Sequence, residues 1–138
     1  MKKILILTHG ELGKGFISSL QIICGETEEY IDTISMGVNE TLEMVVEEVN
    51  DYIEKCSDKD TIIILTDIAI GTTNKAAIPF AVSNDNVYLV TGINLPLILS
   101  IVLTDLSENT YEKIQSIIEE TKSTVVFMNE QIDKIEDK

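Results

Sequence analysis

The chain has 138 residues, and its 24 Asp and Glu against 10 Lys and Arg give a formal net charge of −14 at pH 7. Its length fits one domain, and a hydrophobic content of 44% is typical of a folded globular protein. The charge excludes a general nucleic-acid binder, because phosphate contacts require a basic face. The sequence has one histidine, His9, so a metal site with two histidines would need a second copy of the chain.

The cysteines and the apolar runs predict where the protein is found. Cys24 and Cys56 lie far apart and form no CxxC motif, which predicts free thiols in a reducing, cytoplasmic setting. The nearly apolar run from Ile93 to Leu103 is too short for a membrane span, which needs about 20 residues. Any role at a membrane is therefore expected to pass through a partner protein.

The first half of the chain alternates short apolar runs with helical spacing. Ile4 to Leu7 is apolar throughout, as expected for a strand buried on both faces, and Tyr30 to Ser35 predicts a second strand. Residues 14–24 predict a helix that stops at Gly25. Asn39 is the predicted N-cap of a second helix. The apolar face of that helix would consist of Leu42, Val45, Val46, Val49 and Ile53.

The second half continues the same alternation. Its apolar runs predict strands at 61–66, 87–91 and 124–128. Its helical spacing predicts helices over about 74–83, 96–106 and 111–122. Pro79 would kink the first of these helices or shift its start. The polar tail, residues 129–138, is expected either to fray or to form a last helical turn.

This order of elements predicts an α/β fold. Strands that alternate with helices form a parallel sheet covered by helices on both faces. No repeat, linker or low-complexity segment interrupts the pattern. We therefore expect one doubly wound domain over residues 1–138.

Polar residues that end the predicted strands form a candidate site. Ligands of open α/β sheets bind at the carboxyl ends of the strands, where the strand order reverses. His9 ends the first strand and Asp67 the third, so the two would meet if these strands are neighbours. The carboxylate would fix the tautomer of the ring and leave its other nitrogen nucleophilic. Free N–H groups and hydroxyls of the loop Gly71-Thr72-Thr73 would hold a phosphoryl group there, with no metal required.

Each of these residues also has a purely structural interpretation. A histidine at a strand end is often a hydrogen-bonded surface residue, and an aspartate in the position of Asp67 often caps a loop. Thr72 and Thr73 are candidate N-caps, and Asn94, which precedes Leu95-Pro96, is typical of a turn. The functional interpretation is favoured because the residues fall at equivalent ends of neighbouring strands.

Three stretches of the sequence resemble a known family. They are ILILTHG with its histidine, ILTDIAIGTTNKAA, and VTGINLPLILSIVL. In this order and at these separations they resemble the enzyme IIA domain of the mannose-type (mannose–fructose–sorbose) phosphoenolpyruvate-dependent sugar phosphotransferase system. The resemblance covers essentially the whole chain. It implies a homodimer whose sheet has about five strands, four of them parallel and the last antiparallel and exchanged between subunits.

The resemblance also implies an activity. In the family, the carrier protein HPr phosphorylates the histidine after the first strand, which passes the group to a histidine of a IIB component. The IIB component phosphorylates a sugar that enters through the membrane proteins IIC and IID. His9 matches the phosphorylated position and Asp67 the carboxylate that pairs with it. The loop of Gly71, Thr72 and Thr73 would face the phosphoryl group, and Gly10, Lys75 and Asn94 would contact the site or a partner.

The loop after the third strand departs from the family pattern. The family usually has Asp-x-x-Gly-Gly-Ser/Thr-Pro followed shortly by Asn. Here Ile70 replaces the first glycine and Thr73 the proline, while Lys75 stands near the usual asparagine and Asn74 one residue before it. Because of these differences, a regulatory member of the family without phosphotransfer activity remains an alternative.

Two other phosphoryl-accepting proteins share the expected fold class. The phosphotransfer subunit of dihydroxyacetone kinase also uses a histidine after the first strand, but the segment after Asp67 resembles it less. A receiver domain phosphorylated on Asp67 would need an acidic pair where this chain has Thr8-His9. The transported sugar cannot be predicted, since its selection belongs to the membrane components.

Overall fold

The computed structural model describes residues 1–26 and 29–136, and within them the strands form one parallel sheet. The strands are Lys2–His9 (β1), Ile31–Met36 (β2), Thr61–Thr66 (β3) and Val87–Thr91 (β4). Their order across the sheet is β2-β1-β3-β4, and every neighbouring pair is parallel. The strand order therefore reverses at β1, which lies between β2 and β3.

Helices cover both faces of this sheet. They are Leu12–Cys24 (α1), Leu42–Lys55 (α2), Thr72–Ser83 (α3), Leu95–Leu103 (α4), Thr110–Thr121 (α5) and Met128–Glu136 (α6), with a short 3-10 turn at Lys122–Thr124. The α/β fold with a parallel sheet between helices is confirmed.

Alternate residues of each strand supply two separate cores. In β1, Ile4 and Ile6 pack into one core with α1, α4 and α5. Leu5 and Leu7 point to the opposite face and pack with α2 and α3. All four side chains are fully buried, as the continuous apolar run predicts for a strand covered on both sides.

Several predicted boundaries differ from the observed ones. The N-cap of α2 is Thr41 rather than Asn39, because the Thr41 hydroxyl accepts the backbone N–H of Met44 at 3.3 Å. Helix α3 begins at Thr72, two residues earlier than predicted, and continues past Pro79, which lies on its exposed side. Helix α4 ends at Leu103 rather than near Leu106.

The predicted fifth strand is wrong for the single chain. Of residues 124–128, Thr124 ends the 3-10 turn and Met128 begins α6. The intervening Val125, Val126 and Phe127 pair with no strand among the described residues, and Val125 is 84% exposed. A strand requires a neighbour for its backbone N–H and C=O groups, and in the described part of the chain this segment pairs with none.

The tail forms more structure than one turn. Helix α6 spans nine residues, none of them buried, and its Ile132 and Ile135 are exposed. Residues 137–138 of the predicted tail lie outside the described residues. No helix in the described ranges is long and apolar enough to cross a membrane.

Candidate active site

The candidate site lies at the carboxyl end of β1, where the strand order reverses. His9 is the last residue of β1, and Leu7 pairs with Thr66, the last residue of β3. The backbone therefore brings His9 beside Asp67, the first residue after β3. This is the position at which open α/β sheets bind ligands, and the predicted meeting of the two side chains is present.

One oxygen of Asp67 holds His9 through two hydrogen bonds. Oδ2 accepts the backbone N–H of His9 at 2.9 Å and lies 2.9 Å from Nδ1 of its ring. Because an ionised carboxylate accepts and does not donate, this contact assigns the ring proton to Nδ1. The lone pair of Nε2 is then available for reaction. The His9 side chain is 42% exposed, whereas that of Asp67 is only 10% exposed.

The other oxygen of Asp67 is held from the loop and from α3. Oδ1 accepts the Thr73 hydroxyl at 2.9 Å and the backbone N–H of Ile68 at 3.2 Å. Burial raises the pKa of the Asp67 carboxyl, but hydrogen bonds from His9 and Thr73 outweigh burial and hold that pKa below its ordinary value. Asp67 is therefore ionised at neutral pH.

Gly71 allows α3 to begin directly against the His9 ring. A Cβ at this position would lie 2.5 Å from Cε1 of His9 and 3.2 Å from Nε2. Gly71 is the N-cap of α3, so the backbone N–H groups of the first helical turn lack partners in the helix and favour an anion. The free edge of the imidazole thus lies beside a helix N-terminus, which is the arrangement expected for a phosphoryl group on Nε2.

Asn74 braces the loop between Asp67 and Gly71. Its side-chain oxygen accepts the hydroxyl of Thr66 at 3.1 Å, and its amide donates to the carbonyl of Ala69 at 3.2 Å. Thr66 and Asn74 are both buried. We did not predict this role for Asn74 from the sequence. The available signal was its position, since a polar residue near the start of a helix that covers the sheet must find a partner.

The remaining predicted site residues have different environments. Gly10 has a φ of +57° and donates its N–H to the Met36 carbonyl, which fixes the turn after His9. Asn94 caps α4 by accepting the Leu97 N–H at 2.9 Å. Thr72 is half-buried at the first position of α3, and Lys75 is exposed one turn further on.

Exposed apolar side chains follow the strands at the edge of the sheet where His9 lies. Ile68 and Ile70 project from the loop after β3, and Ile70 is 89% exposed. Leu12 at the start of α1 and Val38 after β2 are also exposed. Each of them follows a strand at the same edge of the sheet. In the described part of the chain, no group of three or more His, Cys, Asp or Glu side chains is placed to hold a metal ion.

Solved structures with the same fold include several transport-system components. The EIIA component from Streptococcus agalactiae is 23% identical, covers 94% of this chain and 98% of its own, and has a TM-score of 0.82. The mannose/sorbose-specific IIA subunit from Enterococcus faecalis is 20% identical over 92% of this chain and 95% of its own, with a TM-score of 0.83. The PTS IIA protein associated with the fucose utilization operon of Streptococcus pneumoniae is 22% identical over 95% and 96%, with a TM-score of 0.82.

Similarity at the level of the family is more specific than these structural likenesses. Among curated proteins no relative matches. Residues 3–118, which include His9, Asp67 and all of α3, match the model of the family described as PTS system fructose IIA component. With the histidine, the carboxylate and the helix N-terminus assembled at the sheet edge, this match means that the chain belongs to the mannose- and fructose-type IIA components of the sugar phosphotransferase system.

Proposed function

We propose that the chain is a phosphocarrier that accepts a phosphoryl group from phospho-HPr on Nε2 of His9 and passes it to a histidine of a IIB component. The observation that carries this proposal is the 2.9 Å contact between Asp67 Oδ2 and Nδ1 of His9. It occupies one ring nitrogen and leaves the other, on the exposed side, as the nucleophile.

The reaction breaks one phosphorus–nitrogen bond and forms another. The Nε2 lone pair attacks phosphorus, while the donor imidazole leaves with the electron pair of the broken bond. His9 keeps its Nδ1 proton, so the phosphorylated ring carries a positive charge. The Asp67 carboxylate stabilises that charge across the Nδ1–H bond. Transfer to the IIB component is the same step with His9 as the leaving group.

The start of α3 would stabilise the transferring group. Phosphoryl transfer depends mainly on positioning and on charge stabilisation at the equatorial oxygens. The N–H groups of the first turn and the Thr72 hydroxyl follow directly on Gly71, whose Cα lies against the His9 ring. We assign the phosphoryl-binding role to these groups.

A protein partner would dock on the apolar residues around His9. Leu12, Val38, Ile68 and Ile70 follow strands at the same edge of the sheet and are open to solvent. Covering them would exclude water from the phosphoryl group during transfer. The net charge of −14 favours a partner with a basic docking face, because opposite charges speed the encounter.

We also propose a homodimer in which residues 124–128 are exchanged as a fifth, antiparallel strand. Strand β4 lies at the edge of the sheet and is unpaired on its outer side in the single chain. A groove along this edge is lined by Tyr88, Val90, Tyr111, Ile114 and Ile118. The sequence Val125-Val126-Phe127-Met128 is apolar and exposed in the same chain. A second copy that supplies this segment would cover the groove and complete the backbone hydrogen bonds of β4.

Phosphorylation with purified components tests the function. Incubation with phosphoenolpyruvate, enzyme I and HPr should add one phosphoryl group per chain, stable to base and labile to acid, as measured by intact-mass spectrometry. His9→Ala should accept none. Phosphate that remains on the His9→Ala chain would show that another residue is the acceptor.

A second step of the same experiment tests the role in sugar transport. The phosphorylated chain should lose its group to a IIB component of the mannose type. A chain that gives its phosphate only to the partner subunit of a dihydroxyacetone kinase, and not to any IIB component, would overturn the assignment to sugar uptake.

A further inference from the structure

We propose that Thr73 is a positioning residue for phosphoryl transfer, whose hydroxyl fixes the plane of the Asp67 carboxylate so that Oδ2 stays on the His9 ring. This inference rests on the proposed role of His9 as phosphoryl acceptor. It replaces the sequence-based expectation that Thr73 binds the phosphoryl group itself.

The two oxygens of Asp67 have separate sets of donors. Among the described residues, Oδ2 receives its hydrogen bonds from His9, through the backbone N–H and the ring. Oδ1 faces Ile68 and Thr73, and the Thr73 hydroxyl is the closer donor, at 2.9 Å against 3.2 Å. A carboxylate turns easily about its last side-chain bond unless both oxygens are held. The Thr73 bond therefore selects the rotation that presents Oδ2 to His9.

The environment of Thr73 commits its hydroxyl to Asp67. The side chain is fully buried, so its hydroxyl does not exchange this partner for bulk water. The only proton that the hydroxyl can donate goes to Oδ1. Thr72, in contrast, is half-buried at the first position of α3 and is the hydroxyl that remains for the phosphoryl group.

Thr73 also connects two parts of the site whose relative position must stay fixed. It belongs to the first turn of α3, whose N-cap Gly71 lies against the His9 ring. One hydrogen bond thus ties the helix that would hold the phosphate to the carboxylate that orients the nucleophile. Such coupling matters because small errors in the position of reacting groups lower transfer rates steeply.

The bond is a feature of this chain. Where the family pattern has proline, position 73 offers a hydroxyl instead. A proline side chain cannot donate a hydrogen bond, so the second oxygen of the carboxylate must be held differently there.

Thr73→Val and Thr73→Ser test the proposal as a matched pair. Valine keeps the volume and the branched Cβ but removes the donor, whereas serine keeps the donor. A hydrogen bond to the ionised form lowers a carboxyl pKa, so Thr73→Val should raise the titration midpoint of the Asp67 carboxyl carbon, followed by ¹³C NMR. Thr73→Ser should titrate like the unmodified chain.

The rate of transfer is the second readout. Phosphorylation of His9 by phospho-HPr should slow several-fold to about tenfold in Thr73→Val, as expected for the loss of one hydrogen bond to a charged group, and serine should restore it. If valine disturbs folding, as judged by the amide NMR spectrum, Thr73→Ala is the second variant without a hydroxyl.

The outcomes separate this inference from the proposed function. If the unmodified chain accepts phosphate and Thr73→Val matches it in both readouts, or Thr73→Ser is as slow as Thr73→Val, the positioning role is wrong. If the unmodified chain itself accepts no phosphate, the proposed function fails. The carboxyl titration needs no phosphoryl transfer and would still show whether the Thr73 bond acts on Asp67.

Discussion

At Asp67, a single carboxylate receives two hydrogen bonds on each of its oxygens. All four contacts favour the ionised form of the carboxyl group. Its lowered pKa follows from these donors, which outweigh the cost of burying the charge. The charge of Asp67 is thus available for the His9 ring when that ring becomes positive.

Asp67→Asn should slow phosphorylation of His9 by roughly 10²-fold, because a neutral amide cannot stabilise the positive ring and does not enforce the Nδ1–H tautomer. Quenched-flow assays with phospho-HPr measure the rate. Asp105→Asn, which removes the same charge far from the site, should leave the rate unchanged. Equal rates for Asp67→Asn and the unmodified chain would make Asp67 a structural residue only.

Gly71→Ala should lower the transfer rate at least tenfold, because the new Cβ would meet Cε1 of His9 at 2.5 Å and push the ring away from the start of α3. The fold should survive, since the half-exposed ring can turn outward. Gly15→Ala is the matched control: it lies in α1 with open space around the new Cβ, and should keep full activity while gaining about 0.5–1 kcal/mol of stability. A fully active Gly71→Ala would contradict the proposed position of the phosphoryl group.

At the scale of elements, Lys2 joins the first strand to the end of α4. Its ammonium donates to the carbonyls of Ile101, Val102 and Thr104, each at 2.8 Å. These carbonyls belong to the last turn and C-cap of the helix, where partners are otherwise missing and a positive charge is favoured. Burial lowers the pKa of Lys2, and the Asp105 carboxylate partly offsets that effect.

Lys2→Met should therefore destabilise the protein by about 1–3 kcal/mol, since it keeps the length of the side chain but leaves three carbonyls without their donor. Urea denaturation measures the change. Lys14→Met removes an exposed ion pair with Glu11 and should change stability by less than about 0.5 kcal/mol. If Lys2→Met and Lys14→Met lowered the free energy of unfolding equally, the three hydrogen bonds of Lys2 would contribute no more stability than an exposed ion pair.

Strands β1 and β3 could be predicted from the sequence because each contains a short, continuous apolar run. Ile4 to Leu7 and Ile62 to Leu65 are apolar throughout and fully or almost fully buried, as expected for strands covered by helices on both faces. The pairing of His9 with Asp67 followed from the same rule, since parallel strands end at one edge. Helix ends were less certain, as the cap at Thr41 instead of Asn39 shows, because several polar residues there could have capped the helix.

Two features could not be predicted, for different reasons. The role of Thr73 depends on which way a hydroxyl turns inside a folded loop, and the sequence does not show that direction. The segment 124–128 has the apolar composition of a strand, but strand formation depends on pairing with a neighbour, and among the described residues the segment pairs with none.

At the scale of the whole molecule, the open edge of β4 and the exposed segment after α5 both favour association with a second chain. Unpaired strand edges and exposed apolar runs invite association with another chain. In a symmetric dimer, the segment of each copy would pair with the β4 edge of the other, so both edges would be paired at once.

Phe127→Glu should shift the protein from dimer to monomer, because it places a charge in the middle of the segment proposed to enter the groove beside β4. Sedimentation equilibrium measures the mass. Ile22→Glu puts the same charge on the exposed surface of α1 and should leave the dimer intact. If the unmodified chain is monomeric at every concentration tested, the exchange of residues 124–128 is wrong.

The contact between Gly71 and the His9 ring has a consequence for mutational tolerance. The preceding residue, Ile70, points almost entirely into solvent, so the fold itself places little restriction on its side chain. At Gly71 even one added carbon meets the imidazole. A library selected for folding alone should therefore be permissive at position 70, whereas one selected for phosphate acceptance should retain only glycine at position 71. The contrast between these two adjacent positions would identify, from sequences alone, the residue that lies against the reacting histidine ring.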